Sequence, residues 1–229
     1  MYDPEVEEEK CIYTPKYGIV KLTTTHFDDH SLLGANYLRY KPERISVWIC
    51  ETQGKEAITG IQTWFRNVID NSEINSGENK GIKSETKKEI IINPNEYLID
   101  CKLWFNDDVI TKIYLKTNKG NKYEVGKEKG VKYNVDLLNG GKKIIISFFG
   151  SYNEYLESFG LHVIEKKDYM TVLFTGYFEL KAKLKKEKYR DEILEKLKNK
   201  KYTFQEETII RTCMLPNTQF NEVMKFCVI

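Results

Sequence analysis

Hydrophobic and polar residues alternate along this chain in three similar stretches, which recur at intervals of roughly fifty residues. Each stretch contains two short runs rich in β-branched and aromatic residues, and a polar break separates the two runs. The paired runs are residues 45–49 and 58–65, 97–103 and 110–118, and 143–149 and 156–163. One hairpin cannot bury its own apolar face, but three hairpins can enclose a shared core. The pattern therefore predicts a mainly β fold with three sheets arranged like the sides of a prism.

The alternation also predicts which side chains face the interior. In the second stretch, Ile113 and Leu115 share one face of the strand, whereas Lys112 and Lys116 share the other. We therefore expect Ile113 to be buried in the core and Lys112 to be exposed to solvent.

The character of the sequence changes after Lys167. Residues 169–178 are rich in aromatic and β-branched side chains, so they predict a further strand. Residues 184–199 combine alternating charge with apolar positions four residues apart, which predicts an amphipathic helix. A strand over 208–215 and a short helix over 219–226 would complete a small α+β extension. The predicted organisation is an acidic leader (1–17), a β domain (18–168) and a C-terminal extension of strand, helix, strand and short helix (169–229).

Composition narrows the range of functions. A formal net charge of only +2 provides no overall field to attract nucleic acid, and most of the cations are lysines rather than arginines. We therefore expect no nucleic-acid partner. No apolar run is long enough to span a bilayer, and the acidic start of the chain lacks the features of a secretory signal. The five cysteines are odd in number and scattered, which is typical of free thiols. These features together predict an intracellular protein, in the cytoplasm or on the cytoskeleton.

Several short motifs, in order along the chain, resemble those of the jacalin-related lectin domain. Phe27-Asp28-Asp29 stands about thirty residues before Ile58-Thr59-Gly60-Ile61-Gln62, as at the opening of that domain. Residues 117–123 (TNKGNKY) resemble its "TN-x-G-x-x-Y-G" stretch. Residues 148–151 (FFGS) followed by 156–160 (LESFG) resemble its closing strand pair. The resemblance covers residues 20–168 and implies a β-prism of three four-stranded Greek-key sheets. The C-terminal extension has no such match.

The resemblance also implies a carbohydrate site where two loops meet at one end of the prism. One loop is glycine-rich in the family, and here it contains threonines, including Thr24 and Thr25. The other is a "G-x-x-x-D" loop whose carboxylate accepts hydrogen bonds from sugar hydroxyls. Here asparagine replaces the glycine and the longer glutamate replaces the aspartate. The candidate sugar-loop residues are thus Thr24, Thr25, Asn153, Glu154, Tyr155 and Glu157.

These departures leave two functions open. In the first, the prism has lost its sugar geometry and acts as a non-enzymatic interaction module, with protein partners in a larger intracellular assembly such as a cytoskeletal one. In the second, the protein is a cytoplasmic lectin for a mannose- or galactose-type glycan, in which Tyr155 stacks on the sugar and Glu157 accepts its hydroxyls. The alternative for Glu157 is an ordinary solvated loop acid.

Catalysis and metal binding find little support in the sequence. It contains no nucleophile elbow, phosphate-binding glycine loop or dinucleotide fingerprint, and we predict neither enzymatic activity nor a cofactor. His26 and His30 flank two aspartates, but two histidines four residues apart on a loop are not held in a defined coordination geometry for zinc. We therefore interpret this segment as a solvated turn anchored by Phe27.

Overall fold

The structure is a computed structural model that describes residues 11–19, 23–52, 55–69, 72–75, 80–94, 96–135, 137 and 143–184. The strands in this part of the chain are β1 (Ile12–Tyr13), β2 (Tyr17–Gly18), β3 (Thr25–Asp28), β4 (Tyr40–Thr52), β5 (Lys55–Asn67), β6 (Glu73–Asn75), β7 (Lys80–Gly81), β8 (Thr86–Ile91), β9 (Leu98–Asn106), β10 (Val109–Thr117), β11 (Lys122–Gly126), β12 (Val131–Asn134), β13 (Lys143–Tyr152) and β14 (Leu156–Glu165). The helical elements are α1 (Asp29–Leu33), a 3-10 helix (Gly34–Arg39) and α2 (Lys166–Leu184).

The three predicted strand pairs are all present as antiparallel hairpins: β4–β5, β9–β10 and β13–β14. Each hairpin forms the centre of a Greek-key unit, in which a fourth strand lies beside the first. Sheet I has the order β8-β4-β5, with β6 and β7 along the outer edge of β5. Sheet II has the order β12-β9-β10-β11. Sheet III places β3 beside β13, and both β1 and β2 beside β14. The expected mainly β prism with three Greek-key sheets is therefore confirmed.

The three sheets enclose one hydrophobic core, in which all three hairpins meet. Ile61 of sheet I, Ile113 of sheet II and Phe159 of sheet III belong to the same buried cluster. Sheets II and III also meet directly, through one antiparallel residue pair between Leu98 of β9 and Ile145 of β13. The inward orientation expected for Ile113 is confirmed, because its side chain is 1 % exposed.

Lys112 differs from the expectation of a solvent-exposed lysine. Its side chain does lie on the outer face of sheet II, but it is only 7 % exposed. The ammonium pairs with Glu124 at 2.7 Å and with Glu128 at 2.9 Å, and it lies 4.9 Å from the ring centroid of Trp104. The expectation was wrong because neighbouring strands cover this position, and period-2 alternation cannot anticipate such cover.

A second, smaller cluster lies outside the prism, between sheet III and a layer of helices. It includes Leu33 of α1, Tyr37 of the 3-10 helix, and Ile144 and Ile164 on the outer face of β13 and β14. The first turns of α2 complete this cluster with two side chains one helical turn apart, Tyr169 and Leu173.

Helix α2 corrects the strand predicted over residues 169–178. The aromatic and β-branched composition suggested a strand, but the described helix buries Tyr169, Leu173 and Gly176, whose spacing of four and three is helical. Packing of this face outweighs intrinsic β propensity. The remaining predictions for the extension, a helix over 184–199, a strand over 208–215 and a helix over 219–226, fall beyond the described part of the chain.

The leader predicted for residues 1–17 is corrected in its second half. Residues 12–13 pair with β14 opposite Val163 and His162, and residues 17–18 pair with the same strand opposite Phe159 and Ser158. These residues therefore belong to the β domain, because they complete the edge of sheet III. Residues 1–10 lie outside the described residues.

Two further observations concern the described residues only. The three cysteines among them, Cys11, Cys50 and Cys101, are free thiols. Among the described helices, none combines the length and the apolar character needed to cross a membrane.

Candidate functional site

The candidate site lies at the end of sheet III where β13 turns into β14. Tyr152 and Leu156 pair at the base of this turn, and the backbone N–H of Asn153 donates a hydrogen bond of 3.1 Å to the carbonyl of Tyr155. Asn153 and Glu154 are exposed, and Tyr155 is half-buried. The turn therefore presents an amide, a carboxylate and an aromatic ring at one end of the prism.

Strand β3 brings the two threonines of the candidate site beside this turn. Thr25 pairs with Tyr152, the last residue of β13, and Thr24 immediately precedes β3. Thr25 is exposed and Thr24 is half-buried. The segment that corresponds to the family's first sugar loop is thus adjacent to the turn that corresponds to its second.

Gly18 closes the other side of the site, and sequence reasoning did not identify it. The residue has φ +102° and lies opposite Ser158. A Cβ added here would lie only 2.1 Å from the carbonyl oxygen of Glu157 and 2.7 Å from the ring of Phe105. Only glycine therefore allows β2 to approach β14 so closely. The available signal was a lone glycine in a short extended run, which is weak by itself.

Glu157 is 5 % exposed, so the solvated loop acid considered as its alternative is wrong. Burial arises because β2 lies directly along β14 at this position and places the Gly18 backbone against the Glu157 carbonyl. A carboxylate with so little exposure has few rotamers left. It is therefore better organised to accept hydrogen bonds than one on a free loop.

A group of polar and aromatic side chains lies on the outer face of sheet III, next to the site. Ser147 Oγ is 2.7 Å from Nδ1 of His162, and Oδ1 of Asp28 is 3.4 Å from Nε2. Burial, followed by the neighbouring His30, lowers the pKa of His162 to about 3. Since His162 is neutral, the Asp28 contact is not an ion pair.

The Ser147–His162–Asp28 arrangement contains the residue types of a hydrolase triad but cannot act as one. Ser147 and His162 are both 0 % exposed, so no substrate carbonyl can reach the hydroxyl. The group instead lies beneath β1, where Tyr13 packs edge-on against His162 at 4.5 Å between ring centroids. Its role in the structure is to hold β1 and α1 against the sheet.

The two histidines of the His26–His30 segment do not converge. His26 is exposed and pairs with Ser151 on β13, whereas His30 is half-buried in α1. In the residues that the structure describes, no set of histidine, cysteine, aspartate and glutamate side chains is arranged to hold a metal ion.

Comparison with known proteins identifies the family. The profile of the family described as "Jacalin-like lectin domain" matches residues 25–162, which is more than half of the chain. Horcolin from Hordeum vulgare is 28 % identical over 98 residues, a stretch that covers 41 % of this chain and 66 % of horcolin.

Solved structures of this family share the fold. AcmJRL, a mannose binding jacalin related lectin from Ananas comosus, superposes with a TM-score of 0.51 at 19 % identity and covers 68 % of this chain and 98 % of that one. Calystegia sepium agglutinin gives the same TM-score at 15 % identity, with 68 % and 97 % covered. The three Greek-key sheets, the loops at the end of sheet III and the matched profile have one explanation: the chain belongs to the jacalin-like lectin domain family.

Proposed function

We propose that this protein is a non-catalytic lectin that binds a glycan at the end of sheet III. The observation that carries the proposal is the adjacency of Thr25 to Tyr152, because it sets the two candidate sugar loops side by side. Such a pair of loops on a rigid β framework is a typical position for a binding site.

Each candidate residue has a distinct role in this proposal. Glu157 is the acceptor of two neighbouring sugar hydroxyls, and Thr24 and Thr25 contact the opposite edge of the ring. Tyr155 packs against the apolar face of the sugar, while Asn153 and Glu154 form the exposed rim. Hydroxyl-to-carboxylate hydrogen bonds are charge-assisted, which makes Glu157 the main source of affinity and orientation.

A mannose-type ligand is favoured over a galactose-type one. AcmJRL is described as mannose binding, and artocarpin was solved as a complex with mannotriose. Both proteins share the fold of this chain, at 19 % and 17 % identity respectively. Sugar binding requires one well-placed hydrogen-bond acceptor and a stacked aromatic ring. It does not require the second carboxyl group that glycoside hydrolysis uses to activate water or the sugar.

The second candidate is a protein-interaction module that no longer binds sugar. Threonines in place of glycines narrow the approach to the backbone at positions 24 and 25, and Glu157 has a longer side chain than the aspartate of the family pattern. These two substitutions favour the interaction module, whereas the retained loop arrangement favours the lectin.

A binding assay with an isosteric substitution distinguishes the two candidates. We expect the full chain to bind mannose-type glycans on an array, and Glu157→Gln to weaken this binding by at least about tenfold through loss of the charged acceptor. Glu85→Gln, which changes an exposed acid in the loop before β8, is the matched control. If the unmodified protein binds no glycan on the array, the lectin proposal is overturned and the interaction module is favoured.

A further inference from the structure

A pair of tyrosines lies beside the candidate sugar site, across the gap between sheets II and III. Tyr17 of β2 and Tyr133 of β12 have ring centroids 5.9 Å apart, with the ring planes inclined at 57°. Tyr133 is 41 % exposed and Tyr17 is half-buried. We call these two residues the tyrosine platform.

The platform packs against a buried aromatic residue of sheet II. The buried ring of Phe105 contacts Tyr133 edge-on, at 5.4 Å between centroids and 88° between planes. Strand β12 pairs with β9, which sets Tyr133 opposite Leu103 of the core. The tyrosine ring is thereby fixed on one side and open to solvent on the other. A preorganised ring of this kind loses little conformational entropy when a ligand stacks on it.

Gly18 connects the platform to the candidate sugar site. It follows Tyr17 directly, and its Cα lies against both the Glu157 carbonyl and the Phe105 ring, as the clashes of an added Cβ indicate. The backbone of Glu157 is therefore linked to Tyr133 through two successive contacts, first Gly18 and then Phe105. The platform is therefore the neighbouring surface of the β13–β14 turn on the side of β2.

We propose that the tyrosine platform is a second subsite, which stacks on the sugar ring adjacent to the one held at the β13–β14 turn. The inference rests on the proposed lectin function. A pyranose ring offers C–H groups on its faces and hydroxyls around its rim. A tyrosine, with an apolar face and a polar tip, has the complementary character. The protein would accordingly select oligosaccharides over monosaccharides.

The size of the patch fits a sugar better than a protein. Its most exposed apolar neighbours are Val131 at 60 % and Ile19 at 48 %. Together with Tyr133 they offer on the order of 300 Å², far below the roughly 800 Å² per partner of a stable protein interface. One or two pyranose rings cover such an area.

The test compares mannose with mannotriose, measured by titration calorimetry on the full chain. We expect mannotriose to bind more tightly, and Tyr133→Ala to weaken mannotriose binding by about 3- to 10-fold. Mannose affinity should change by less than about twofold, because its ring ends before the platform. Tyr133→Phe keeps the ring and should retain mannotriose affinity, and Ile91→Ala, at a 60 % exposed residue of sheet I, should leave both affinities unchanged.

Saturation-transfer NMR on the unmodified protein provides a second readout that needs no variant. Irradiation of the aromatic protons should transfer saturation to more than one ring of mannotriose. If Tyr133→Ala weakens neither sugar, or weakens both equally, the second subsite is overturned while the lectin proposal stands. If the unmodified protein binds neither sugar, the mannose-type lectin proposal fails first, and this inference fails with it.

Discussion

The ring of Phe149 on β13 lies directly over Gly160 on β14. The two residues are register partners, and a Cβ added at Gly160 would lie 2.3 Å from the Phe149 ring. The ring also packs against His162 at 4.9 Å between centroids, and the Lys16 ammonium lies 5.9 Å from its centre. An aromatic ring on the first strand of a hairpin thus covers the backbone of the second strand.

In the other two hairpins, an aromatic ring on the first strand likewise lies close to a lysine ammonium. In sheet I, Trp48 is the register partner of Gly60, and the ammonium groups of Lys83 and Lys87 lie 5.8 and 5.5 Å from its ring. In sheet II, Trp104 pairs with Lys112, which itself supplies the cation. The threefold pattern seen in the sequence therefore extends to the outer faces of the sheets, where an aromatic ring is covered by lysine.

Gly160→Ala should destabilise the fold by about 1–3 kcal/mol, because the added methyl displaces the Phe149 ring and strains its contact with His162. Denaturant unfolding of both proteins measures the difference. The double variant Gly160→Ala with Phe149→Leu should recover part of this loss, since the smaller side chain leaves room for the methyl. Additive losses in the double variant would show that the Phe149 ring is not the obstacle.

Ile113→Ala should lower the free energy of unfolding by about 2–5 kcal/mol, because it leaves a cavity where the three sheets meet. Lys112→Ala should lower the free energy of unfolding by about 1–2 kcal/mol, more than an ordinary surface substitution. The alanine neither covers the Trp104 ring nor forms the two ion pairs. The ion pairs themselves contribute little, since Glu124 and Glu128 are 51 % and 64 % exposed.

Lys112→Met is the matched variant for this comparison, because it keeps an unbranched stem over Trp104 and removes the charge. We expect it to lose less stability than Lys112→Ala. An Ile113→Ala variant as stable as the unmodified protein would mean that the register of β10 has been assigned incorrectly.

The hairpins could be predicted from the sequence because alternation with period two is a local property. The register that buries Ile113 follows from the same pattern. The cover over Lys112 could not be predicted, because it comes from β9, β11 and the segment after β11. Helix α2 was missed for a similar reason: the cluster that Tyr169 and Leu173 enter is assembled from β5, β13, β14 and the helices after β3.

For the candidate site, the sequence provided residues but not their arrangement. Family resemblance identified Thr24, Thr25 and the 153–157 loop, and the pairing of β3 with β13 sets them side by side. The burial of Glu157 and the role of Gly18 depend on β2 lying along β14. Nothing local in an acidic, poorly patterned leader indicates that edge strand, so neither property could be predicted.

His162 should make stability depend on pH in the acid range. Burial, followed by the neighbouring His30, holds the pKa of His162 at about 3, below the ordinary value of 6.5. Between these two values the unfolded chain binds the proton and the folded protein does not. The contribution of His162 to the free energy of unfolding is therefore complete above pH 6.5 and is lost progressively as the pH falls towards 3.

The measurement is denaturant unfolding at several pH values between 3 and 7, for the unmodified protein and for His162→Gln. The variant has no titrating ring at this position, so its stability should fall less steeply with acid. Parallel curves for the two proteins would show that His162 has a similar pKa in the folded and unfolded states.

The first turns of α2 should be part of the stable domain. Tyr169 and Leu173 are 4 % and 3 % exposed, and they close the second cluster over Ile144 and Ile164. Leu173→Ala should lower the free energy of unfolding by about 2–5 kcal/mol. Thr171→Ala, at an exposed position of the same helix, is the control and should stay within about 0.5 kcal/mol.

A chain ending at Asp168 tests the same point on a larger scale. The boundary predicted from the sequence implies that this shorter chain folds independently. Removal of Tyr169 and Leu173, however, exposes the apolar face formed by Leu33, Tyr37 and Ile144. We therefore expect the shorter chain to unfold at lower denaturant concentration than the full chain and to bind a hydrophobic dye such as ANS. If its unfolding midpoint equals that of the full chain and no dye binds, α2 is dispensable and the domain ends near residue 168, as the sequence predicted.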